Sequence, residues 1–382
     1  MFIDLRDALE ETPNDKRQIG VLLGFLSITS EADSALYNEI LDEAVGDDLL
    51  GEWFAILQTT AAIDQRGVER LHEALDLGKT PIHSLNQLAW GRVHESIGDD
   101  DLALLLEKML TKEGGLGVVL EILNMRFHQG KEEAREYSDA LIAIARRALT
   151  MQSFDKKQRQ GGGEDYALAA IAKRCLVQPE ASTSARELAK NLSDAIFAHQ
   201  AYSFDCIGLL NALAKMWPRI FLNEFLGRKD AEEFQRHRMF SDDFERRENP
   251  MSQIPDEEVI AWCEGDPASR YVIAASAVEG FEVSSDTGKI VWRPIVEAVL
   301  EKAPDLDKVF EELGRSLSPS SWSGSRAAIL EERSALLLDL CEHDNAEVAA
   351  WANSHYERLK QAIVSEREQE EKYDRQRNES FE

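Results

Sequence analysis

The chain has 382 residues, with 43 Lys+Arg against 71 Asp+Glu and a formal charge of −28. Its length holds one large domain or two to three ordinary ones, and 43% hydrophobic residues exclude an intrinsically disordered chain. The acidity argues against binding to a nucleic-acid duplex, because phosphates are repelled unless a local basic patch overcomes the field.

The first residues, Met1-Phe2-Ile3-Asp4-Leu5-Arg6, lack the basic-then-apolar order of a secretion signal. The longest clean apolar stretch, 19–30, has 12 residues, whereas a bilayer takes about 20. A 3.6-residue period then runs along almost every segment. Its stripes are Leu36, Ile40 and Leu41; Trp53, Ile56 and Leu57; Val68, Leu71 and Leu75; and Ile82, Leu85, Leu88 and Ala89. Leu102, Leu105, Leu106 and Met109 follow, then Val118, Val119, Ile122 and Leu123. Breaks such as Gly46-Asp47-Asp48 and Gly98-Asp99 place a helix-ending Gly beside an Asp that caps the next helix, and Gly78-Lys79-Thr80-Pro81 sets a helix-ending Gly ahead of a proline.

Two breaks are stronger. Residues 151–165 are polar around three consecutive glycines, Gly161 to Gly163, and predict an exposed loop or linker. Residues 236–255 contain Asn249-Pro250 and Ile254-Pro255, and the residue before each proline is pushed out of helical geometry. Phe281-Glu282-Val283 and Ile290-Val291-Trp292 flank a turn-rich segment and read as a short β-hairpin. The C-terminus predicts one long helix. Asp344 and Glu347 have capping-box spacing, and Val348, Ala352, His355, Leu359 and Ile363 form its stripe before a fully polar end.

Short amphipathic helices joined by short turns predict an all-α chain of irregular stacked helical hairpins, a HEAT-like α-solenoid. One hairpin cannot bury its apolar face without a neighbour. The expected divisions are a helical array over 1–150, a polar loop at 151–165, a middle segment at 166–248 and a C-terminal region at 249–382.

No chemical motif stands out. Cys175, Cys206, Cys263 and Cys341 form no CxxC pair, which removes zinc ribbons and dithiol redox sites and fits a reducing cytosol. A soluble cytoplasmic protein is expected. His72, His83 and His94 recur every 11 residues, but Gly78 and Pro81 break any common helix, so no metal site is expected. Gly288-Lys289 lacks phosphate-loop spacing: seven residues rather than four separate it from Gly280, and Ile290 stands where a hydroxyl is needed. No G-x-S-x-G elbow is present. Cys206 lies beside an apolar run, where a buried thiol is expected. No catalytic residue, cofactor or metal is assigned.

The tract Pro319-Ser320-Ser321-Trp322-Ser323-Gly324-Ser325-Arg326 holds an aromatic among small residues ahead of an apolar run. One reading is a serine-capped helix start with Trp322 packed into the core. The other is an interaction spot made by Trp322 and Arg326, because Trp and Arg are favoured interface anchors.

Three stretches carry a resemblance: Trp262 to Tyr271, Pro319 to Arg326, and Asp374 to Glu382. Together, over about residues 250–382, they resemble the C-terminal helical region of large bacterial multidomain proteins, some of them antiphage-defence NTPases. The resemblance implies a sensor or partner-binding array, with catalysis in a separate N-terminal effector. This chain contains no phosphate loop or effector motif. The effector would therefore lie on another polypeptide, or the chain would be a separated part, and no catalytic residue carries over.

The expected function is a non-enzymatic interaction or sensor module, part of a larger bacterial assembly, that binds a protein with a basic face. Two alternatives are an all-α enzyme with an unrecognised site, and a scaffold touching nucleic acid through Lys156-Lys157-Arg159 and Arg246-Arg247.

Overall fold

A computed structural model describes residues 1–128, 135–155, 165–228, 249–319 and 322–379. The fold is all-α, and its one sheet among the described residues is a two-stranded hairpin. The chain forms two compact units, Met1–Ala212 and Leu213–Glu382. No helix among the described residues is long and apolar enough to cross a membrane.

The first unit begins with α1 (Phe2–Glu11), α2 (Gly20–Ala32), α3 (Ser34–Gly46), α4 (Phe54–Gln58) and α5 (Gln65–Leu77). The Asp33 carboxylate accepts the Leu36 amide at the start of α3, and Asp64 accepts the Gly67 amide at the start of α5. Both satisfy amides that have no intrahelical partner. Gly78 ends α5 in the left-handed region at φ 66°, a position glycine occupies without steric cost.

Residues Ile82–Ser96 depart from the expected α-helix. They form 3-10 turns interrupted at Trp90, Gly91 and Arg92, with φ 61° and 62° at the last two. Ile82, Leu85 and Leu88 recur every three residues, which is the 3-10 repeat.

Next come α6 (Asp99–Leu110), α7 (Gly115–Phe127), α8 (Asp139–Met151), α9 (Asp165–Cys175) and α10 (Ser182–Phe197), then α11 (Ile207–Met216). A Cβ on Gly115 would sit 1.8 Å from the Met109 carbonyl oxygen, so the tight turn between α6 and α7 requires glycine there. The stripes expected on α5, α6 and α7 are buried. Packing is local: α3 lies on α2 and α5, α6 on α5, α7 and α8, and α9 on α7 and α8.

The expected division at 151–165 falls inside this unit. Gln152 and Phe154 are buried, and the Asp165 carboxylate caps α11 by accepting the Gly208 and Leu209 amides at 2.6 and 2.9 Å. The loop core itself, 156–164 with Lys156, Lys157 and Arg159, lies outside the described residues, as do Arg246 and Arg247.

In the second unit α12 (Pro218–Phe221) widens into a π-turn at Leu222–Leu226. Then follow α13 (Asp256–Cys263) and α14 (Pro267–Ala277), strands β1 (Phe281–Val283) and β2 (Ile290–Trp292), and α15 (Pro294–Lys302). The unit ends with α16 (Leu306–Ser316), α17 (Arg326–Cys341) and α18 (Ala346–Glu379). Trp262 is fully buried; its indole N–H donates to Asn223 Oδ1 at 2.9 Å, and the Arg270 guanidinium stacks 4.6 Å from the ring centre.

The hairpin pairs Phe281 with Trp292 and Val283 with Ile290 in antiparallel register. It is pinned to α17 by the Trp292 indole N–H donating to the Leu336 carbonyl at 2.7 Å. The expected stripe of α18 is buried from Val348 to Ile363. Its cap is Asn345, whose side chain accepts the Glu347 amide at 2.9 Å, rather than Asp344.

Candidate functional site

The structure brings Trp322 and Arg326 together. Ser325 starts α17, its hydroxyl accepting the Ala328 amide at 3.0 Å. That fixes Arg326 on the first turn, and its guanidinium lies 4.7 Å from the centre of the Trp322 ring. Such a cation–π pair is worth about 0.5–1 kcal/mol where exposed.

The arginine is held from behind. Arg326 pairs with Glu366 of α18. Glu370, one turn further, accepts the Ala327 amide at 3.1 Å and the Ser325 hydroxyl at 2.8 Å. These bonds hold the Glu370 carboxyl below its ordinary value, led by the Ala327 amide. Glu331 and Arg367 add a third bridge along the α17–α18 hairpin. Trp322 remains 47% exposed while the Arg326 side chain is 28% exposed. An indole so open is not a core side chain, so the tract presents an aromatic on an anchored cation.

The remaining reactive groups are built into packing. The Cys175 and Cys263 thiols are pushed up to about 12 by burial. Burial also lowers the pKa of His94 and His355. The His94 Nδ1–H donates to the Leu88 carbonyl at 2.9 Å. Beneath it, fully buried Arg126 donates to the carbonyls of His94 and Ile97 at 2.7 and 2.9 Å and to Asp99 Oδ1 at 2.6 Å. Asp99 also accepts the Ser138 amide at 3.0 Å and pairs with Arg135 at 3.1 Å. This network ties the 3-10 segment and the ends of α6, α7 and α8 to one guanidinium. Among the described residues, no three His, Cys, Asp or Glu side chains converge as metal ligands.

The sequence reading missed a second surface. A groove of about 460 Å³ opens between α1, α2 and α3. Met1, Leu5, Val21, Phe25, Ile28 and Leu36 make most of its wall. Its signal was present in the sequence: Val21, Phe25, Ile28 and Ala32 recur at four, three and four residues, beside the buried stripe of Leu22, Leu26 and Thr29.

No family model, curated protein or solved structure matches this chain.

Proposed function

We propose that the chain is a non-enzymatic helical protein-interaction or sensor module that works within a larger bacterial assembly. The observation that carries this reading is the presented indole of Trp322, stacked on an arginine that Glu366 holds in place. Anchors of this type dominate interface energetics, and an anchor already fixed before binding loses less entropy on docking. The Cys175 and Cys263 thiols are buried with their thiolate forms disfavoured, which fits a packing role for both. The charge of −28 favours a basic partner face. The resemblance of residues 250–382 to helical regions of defence-type NTPases is what supports a place in a bacterial assembly whose effector lies elsewhere.

Partner capture with wild type and Trp322→Ala, paired with melting curves, tests this. A hot spot costs about 2 kcal/mol or more on truncation, roughly thirtyfold in affinity. The expected result is that loss of capture with a melt within about 2 °C of wild type, since a half-exposed side chain leaves no closed cavity. Unchanged capture by the variant overturns the reading.

A further inference from the structure

We propose that the groove between α1, α2 and α3 is a docking site for an amphipathic helix with basic flanks, supplied by a different protein. The inference deepens the interaction reading and rests on it, but it concerns a separate surface.

The apolar arc of α2 is wider than its neighbours cover, whereas an ordinary surface helix buries its apolar stripe. Leu22, Leu26 and Thr29 are buried against its neighbours, while Val21 and Ile28 are each 71% exposed. Met1 at 74% and Leu36 at 40% extend the same apolar wall from α1 and α3. The open stripe on α2 has the four-three-four spacing with which one helix meets another lengthwise. At 1.5 Å per residue α2 offers a track of about 20 Å. This is the geometry of helix-in-groove recognition.

Charge selects the occupant. Residues 20–46 carry Glu31, Asp33, Glu39, Asp42 and Glu43 and no Lys or Arg. Asp42 is already paired with Arg66 and Arg70. Asp33 lines the groove itself, and Glu31 lies one turn beyond Ile28. On α1, Asp4 is bound by the Met1 amine at 3.1 Å, and Arg6 is engaged by Asp47 and Glu10. The rim contributed by α2 and α3 is therefore acidic, and the cations on α1 are engaged. A second copy of this chain would bring carboxylates against carboxylates. A helix with lysine or arginine beside its apolar stripe fits both the floor and the rim.

The test uses a fluorescent helical peptide of about 16 residues, long enough to follow α2, with Leu at four-three-four spacing and Lys flanking the stripe. It is titrated with the full chain by anisotropy. A scrambled peptide of identical charge, a Glu-flanked version, and the Val21→Ser/Ile28→Ser double variant complete the set. The double variant keeps the net charge and alters only exposed side chains. The proposal expects saturable binding that weakens at least tenfold with the scrambled peptide, the Glu-flanked peptide and the double variant, with the variant's melt unchanged. It is overturned if no binding is seen, if scrambled and ordered peptides bind alike, or if the variant binds as well as wild type. It is also overturned if the variant melts lower, or if wild type sediments as a dimer that the double variant abolishes. If the groove fails while Trp322→Ala still loses its captured partner, the interaction reading stands and only this site falls.

Discussion

Arg126→Met should unfold the first unit more readily than any surface change. The guanidinium is fully buried and donates to the carbonyls of His94 and Ile97 as well as to Asp99. Methionine fills much of the stem volume but supplies none of the donors. Removing one partner of a buried ion pair costs about 3–5 kcal/mol, and each carbonyl left unpaired adds about 1 kcal/mol. Asp99 keeps the Ser138 amide and Arg135, which offsets part of that loss. The net expectation is about 4 kcal/mol. At about 2–4 °C per kcal/mol for a unit of this size, the melting temperature of Met1–Ala212 falls by about 8–16 °C. The control is Arg135→Met, which removes the more exposed arginine on the same carboxylate and should cost about 0–1 kcal/mol. Urea and thermal unfolding of both variants measure the difference. An Arg126→Met melt within about 2 °C of wild type, or equal losses for the two variants, would refute the view that one guanidinium holds these elements together.

Gly314→Ala should lower the stability of the second unit by about 1–3 kcal/mol, because a Cβ there would stand 2.8 Å from Cε1 of His355; calorimetry reads the shift, and an unchanged melt contradicts the packing. Stability should also fall with acid. His94 and His355 have pKa values lowered from 6.5, so the unfolded chain binds protons first; the stability they contribute is complete above pH 6.5 and is lost as pH falls below it. Urea midpoints at pH 7.5 and 5.5 check the sign, and a midpoint that rises on acidification rejects it. Alkylation followed by mass spectrometry should find Cys341 modified first, because it is half-buried whereas Cys175, Cys206 and Cys263 are buried; early labelling of Cys175 would contradict the packing of α9.

Much of the helical framework was legible because burial follows local spacing. Val118, Val119, Ile122 and Leu123 all point inward on α7, and the α18 stripe from Val348 to Ile363 is buried as its spacing requires. The 82–96 segment misled because three-residue and four-residue repeats differ little over two turns, and Gly91 with Arg92 imposes a left-handed break there. Pairings distant in sequence were not legible. Nothing near Trp322 announces that Glu366 and Glu370, some forty residues on, hold the start of α17. The groove was hidden for a different reason. An apolar run such as 19–30 reads as core on composition; the spacing of Val21, Phe25, Ile28 and Ala32 marks a stripe, and packing decides that this stripe stays open.

Hydrogen–deuterium exchange on the full chain, with and without a captured partner, tests the interaction reading most directly. Slowed exchange is expected in the backbone amides from Trp322 through the first turn of α17 when the partner is bound. A partner that binds while exchange across Trp322 to Ile329 stays unchanged would contradict it.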